Sequence, residues 1–119
     1  MTKADEAINK LCKSLGTDYM VKTIDGEPCV YRDFSNGFNV EISGMYTTSM
    51  KRRANLYLWR GNSPIVDSVQ DVRREYIGVV VERLRTFVDA LINAGYGGDN
   101  VLGWRDDPGL CEKNKLVHA

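Results

Sequence analysis

Residues 29–42 read Cys-Val-Tyr-Arg-Asp-Phe-Ser-Asn-Gly-Phe-Asn-Val-Glu-Ile. Asn36-Gly37 is the strongest short hairpin signal, because both residues tolerate the left-handed backbone that a tight two-residue turn requires. With those two as the loop, Ser35 faces Phe38 and the pairing runs backwards from there. Tyr31 then falls opposite Ile42, Arg32 opposite Glu41 and Asp33 opposite Val40. Arg32 and Glu41 form an opposite-charge cross-strand pair of the kind that steadies a sheet. Tyr31, Phe38, Val40 and Ile42 share the expected core face, and Val30 and Phe34 belong to the outer one.

Outward from this hairpin, turn signals mark further strands. Tyr19 to Ile24 and Cys29 to Phe34 flank Asp25-Gly26, with Pro28 near the strand start, where a missing N–H is tolerated. Gly44 to Met50 reads as a loop. Arg53 to Arg60 reads as a strand with Leu56 and Leu58 inward. After Gly61-Asn62, Pro64 to Val72 continues as a strand with Ile65 and Val69 on the core side. Ser68-Val69-Gln70-Asp71 also fits a helix capping box, but an earlier helix start would put Gly78 mid-helix at a cost of ~1 kcal/mol.

Helices bracket the strands. Ile8, Leu11, Cys12 and Leu15 lie on one face of a first helix that Gly16 ends. Ile77, Val80, Leu84, Phe87, Leu91 and Ala94 form a continuous apolar stripe on a long helix over residues 74–94. The expected fold is α+β: an N-terminal helix, a four- to five-stranded antiparallel meander and a long C-terminal helix packed on one sheet face. Residues 1–98 form the single domain. Residues 99–119 read as an irregular tail, docked through Trp104 and Leu102.

Composition narrows the function classes. The chain has 119 residues, 43% of them hydrophobic, so it can bury a core without disulfide or metal staples. Sixteen basic residues cancel sixteen acidic ones, which argues against a protein that coats nucleic acid or a membrane surface. Cys12, Cys29 and Cys111 are odd in number and widely spaced, which points to a reducing, cytoplasmic setting without a cysteine zinc site. No apolar run suggests a membrane span, and no cofactor or metal is expected.

Catalytic constellations are sparse. His118 stands alone near the C-terminus, so nucleophile–histidine pairs have little to build on. Asp33 lands on the core face, and Asp67 falls opposite Leu56 in the same scheme. Each reads either as a strand-end carboxylate bonding a turn amide or as a perturbed acid in a cleft. A small carboxylate enzyme would need the two to converge.

The most distinctive stretch is Ile42 to Val66, which holds Lys51, Arg52, Arg53 and Arg60 and no acid. Tyr57 and Trp59 alternate with Leu56 and Leu58 and therefore face away from the core. Together these residues are the candidate partner-binding surface, aromatic and basic. The leading expectation is a non-enzymatic binding or regulatory protein with a protein partner, and homodimerisation is a further expectation. Small accessory and inhibitor proteins of phages and other mobile elements share this profile. The alternative is nucleic-acid binding: helix, strand meander and helix resemble double-stranded-RNA-binding domains in element order. The lysine cluster such domains carry at the start of the final helix is replaced here by Arg73-Arg74-Glu75.

Overall fold

The computed structural model describes all 119 residues. Helix α1 (Lys3–Leu15) opens with a capping box. The Asp5 N–H donates to the Thr2 hydroxyl, and the Thr2 N–H donates back to the Asp5 carboxylate at 3.0 Å. That backbone bond, with further ones from the hydroxyls of Thr2 and Tyr46, holds the Asp5 carboxyl below its ordinary range.

Five antiparallel strands follow in strict meander order: β1 (Met20–Ile24), β2 (Glu27–Asp33), β3 (Phe38–Ser43), β4 (Ala54–Arg60) and β5 (Ile65–Val72). A 3-10 turn at Arg74–Tyr76 leads into helix α2 (Ile77–Asn93). Gly78 therefore stands in the first helical turn rather than mid-helix, and residues 65–72 form the expected strand.

The helices pack on one face of the sheet around one core. That core joins Val30, Phe38, Val40, Ile42, Leu56 and Leu58 of the sheet to Ile8, Leu11, Val81, Leu84 and Leu91 of the helices. Each of these side chains contributes about 1.5–3 kcal/mol by burial.

The hairpin register differs from the expected one by a single residue. Val30 pairs with Ile42, Tyr31 with Glu41, Arg32 with Val40 and Asp33 with Asn39. The Phe34 N–H reaches the Phe38 carbonyl at 3.0 Å, so the loop holds three residues: Ser35, Asn36 and Gly37. Ser35 and Gly37 both take positive φ, at 61° and 91°. Two side chains select this longer loop: Asp33 accepts from the Ser35 N–H at 2.8 Å and Asn36 from the Phe38 N–H at 3.2 Å.

A one-residue slip exchanges the faces. Val30 and Phe34 turn toward the helices, while Tyr31 and Asp33 turn away from them. Arg32 loses the expected Glu41 partner and reaches Glu82 of α2 instead, at 2.8 Å, between the rings of Tyr19 and Phe34. Between β4 and β5 a three-residue loop over 61–63 sets Ile65 opposite Trp59, and an irregularity between Leu58 and Trp59 then sets Asp67 opposite Leu58 rather than Leu56. Ile65 is consequently exposed rather than a core residue.

Glu82 accepts from Arg32 and from Arg85, each at 2.8 Å, and these bonds, Arg32's foremost, hold its carboxyl below its ordinary value near 4.5. A carboxyl depressed in the folded state adds stability above its unfolded pKa, and that stability is lost as pH falls through the folded one. Glu82 is half exposed, so screening keeps the contribution under about 1 kcal/mol. Urea midpoints between about pH 6 and 3 are expected to fall less steeply in Glu82→Gln than in the wild type.

Residues 99–119 are ordered rather than irregular. A 3-10 segment at Val101–Asp106 runs into helix α3 (Pro108–Val117), capped by Asp107 and started by Pro108. Val101, Trp104, Leu110 and Val117 join the core, whereas Leu102 lies at the surface. Pro108 and the Asp107 cap were legible start signals. The helix has only a weak apolar stripe of its own, and packing against α2 holds it.

Candidate functional site

With the helices gathered on one side, the other face of the sheet is open. One cross-strand row on it runs Met20, Tyr31, Glu41, Tyr57, Ser68 through all five strands. The next runs Asp33, Asn39, Trp59, Ile65. Alternation along β4 sends Leu56 and Leu58 inward and Tyr57 and Trp59 outward, as expected.

Glu41 is the centre of this face. It is 8% exposed and is the one charged residue counted among the buried positions. Its Oε1 accepts the Trp59 indole N–H at 3.2 Å, and its Oε2 accepts the Ser43 hydroxyl. No lysine, arginine or histidine pairs with it. Beside Ser43 lies the Cys29 thiol, 3.7 Å from the hydroxyl and 3.5 Å from the Glu27 carboxylate. Burial, which outweighs the lowering effect of the Ser43 hydrogen bond, pushes the Cys29 thiol up to about 11. At neutral pH it is protonated and serves as a small apolar filler, not a nucleophile.

A cleft of about 300 Å³ opens over this centre, between the Asp25 turn and the start of the β4–β5 turn. Tyr31 and Trp59 line it, and Asn39 and Glu41 contribute polar groups. The Lys22 ammonium sits over the Tyr31 ring, 4.5 Å from its centre.

The other sequence candidates disperse. Arg60 follows Trp59 and so points to the helix side. There its guanidinium donates to the carbonyls of Gly97 at 2.7 Å and Gly37 at 3.1 Å, above the Phe38 ring. Arg60 thus ties the β2–β3 turn to the exit of α2 and is no part of the open face. Lys51, Arg52 and Arg53 are exposed in the β3–β4 connection, where Arg52 is anchored to the Gly44 carbonyl at 2.9 Å. The basic cluster of the sequence is therefore divided between the helix side of the sheet and an exposed loop.

Asp33 caps its own turn. Asp67 lies on the helix side, where it accepts from the Asn114 amide at 2.8 Å and contacts the His118 ring nitrogen at 3.0 Å. The two carboxylates occupy opposite faces and do not form one acid pair. Asp67 instead fastens α3 to β5, and no hydroxyl or thiol bonds to His118. No group of three or more histidine, cysteine, aspartate or glutamate side chains converges as a metal site would need. No helix is long and apolar enough to cross a membrane.

Sequence reasoning missed Glu41, Tyr31 and Asn39 as neighbours of Trp59. The available signal was Glu41 itself, a carboxylate between Val40 and Ile42 in a short apolar strand. Comparison with known protein families, curated proteins and solved structures returns no match to this chain.

Proposed function

We propose that this chain is a non-enzymatic binding or regulatory protein that docks on a protein partner through the open face of its sheet. The observation that carries the reading is the arrangement of Tyr31, Tyr57 and Trp59, half-buried and uncovered by any helix, around Glu41. Tyrosine and tryptophan supply large, stiff contact area with a polar tip, and they anchor protein interfaces. The elements beneath are rigid strands, so such contacts are pre-organised and lose little entropy on docking.

Charge favours a protein partner over nucleic acid. A base-stacking sheet needs cations beside its aromatics to hold phosphates. Here Arg60 is committed to backbone carbonyls on the far side, Lys22 is the single cation set against the rings, and the centre of the open face is a carboxylate.

A photo-crosslinking residue in place of Tyr57, compared with one in place of the exposed Val79 on α2, tests the reading in the native host. Crosslinks to one discrete protein from position 57 and none from 79 are expected. Crosslinks to nucleic acid, equal yields from both positions, or none from 57 would overturn it.

A further inference from the structure

Glu41 is a nearly buried charge whose only partners are neutral donors. One indole N–H and one hydroxyl occupy one lone-pair site on each oxygen and leave acceptor capacity on both. A buried charge without a counter-ion is unfavourable, and burial strengthens its attraction for any cation that reaches it. The cleft above offers three further features suited to a cation. Tyr31 and Trp59 line it, and the face of an aromatic ring attracts a cation. The Asn39 amide donates one N–H to the Gly61 carbonyl at 2.9 Å, and its oxygen accepts from no protein donor. Asp25 adds a second carboxylate at the rim, against the single ammonium of Lys22. Lys22, which pairs with no carboxylate and rests on Tyr31, shows that an alkylammonium fits the aromatic wall.

We infer that this cleft receives one lysine or arginine side chain of the protein that docks on the open face, its cationic head set against Glu41 and Asn39. The inference rests on the docking reading, because a cleft in the middle of that face meets the partner's side chains first. A volume of about 300 Å³ lies at the small end of ligand sites and suits a side-chain terminus. Phosphate or carboxylate would meet Glu41 with like charge, and an apolar side chain would leave that charge buried without a counter-ion.

The test is a titration of the ¹⁵N-labelled protein with the capped tripeptides acetyl-Gly-Lys-Gly-amide and acetyl-Gly-Arg-Gly-amide at constant ionic strength. The norleucine analogue and butylammonium serve as controls. The chain's two indole N–H signals report separately, Trp59 from the cleft and Trp104 from the core. A cationic tripeptide is expected to move the Trp59 signal saturably in the millimolar range and leave Trp104 still. Glu41→Gln, which keeps the shape and an acceptor, is expected to weaken binding about tenfold. Exposed Lys22→Gln is expected to tighten it by removing the competing charge. A flat Trp59 signal, equal binding of the norleucine analogue, or indifference to Glu41→Gln would overturn the inference. Tighter binding of butylammonium than of either tripeptide would also overturn it, by assigning the cleft to a free amine. Crosslinking from position 57 alongside a flat titration would keep the docking face and remove the cation.

Discussion

Val30→Asn is expected to destabilise the domain by about 3–5 kcal/mol, from lost apolar burial plus an amide left without partners. Tyr31→Asn, one residue on, is expected to cost about 1 kcal/mol, as half-exposed positions do. The contrast follows from the three-residue loop. Val30 is fully buried opposite Ile42, while Tyr31 sits half-exposed opposite Glu41 on the open face. In a domain whose whole stability is about 5–15 kcal/mol, the first substitution removes a large share. Urea unfolding of both variants decides the matter. With the two-residue turn that Asn36-Gly37 suggests, the ranking would reverse, and Tyr31 would leave the candidate site.

Trp104→Ala is expected to cost about 3–5 kcal/mol, and a chain ending at Gly98 is expected to lose its cooperative unfolding transition. The Trp104 ring packs edge-to-face on Phe87 with centroids 5.1 Å apart and an angle of 84°. Its indole N–H is buried with no acceptor, so the ring contributes through apolar contact. Trp104→Phe is accordingly expected to be far milder than the alanine change, since it keeps a ring and deletes the unpaired donor. Truncation would also remove Val101, Leu110 and Val117 and uncover the stripe of α2 on which they lie. Thermal and urea transitions measure both effects. A truncated chain as stable as the full one would make the tail an appendage, as its polar composition suggests.

The two predictions mark where local reading succeeds and where it fails. Leu56-Tyr57-Leu58-Trp59 was legible because alternation is a property of the strand itself, and one anchored aliphatic assigns its neighbours. The apolar stripe of α2 was legible for the same reason at a different period. The β2–β3 register was not, since Asn36-Gly37 fits a two- or a three-residue loop. The choice fell to two side chains, Asp33 and Asn36, bonding the turn. Arg60 was misplaced although the alternation that turned Trp59 outward already turned it inward. Helix α3 was hidden because its stability comes from docking on α2 and from the Asp67–Asn114 contact, both distant in the chain.

By itself the sequence determined the five strands and the first two helices, their antiparallel order and the outward turn of Tyr57 and Trp59, because turn chemistry and side-chain period act between near neighbours. Only the tertiary structure decided that Tyr31 joins those rings, that Glu41 lies buried among them with no counter-ion, and that residues 101–117 fold onto α2. Those outcomes depend on which strand lies beside which at what offset. They are settled when distant residues compete for the same partners in three dimensions.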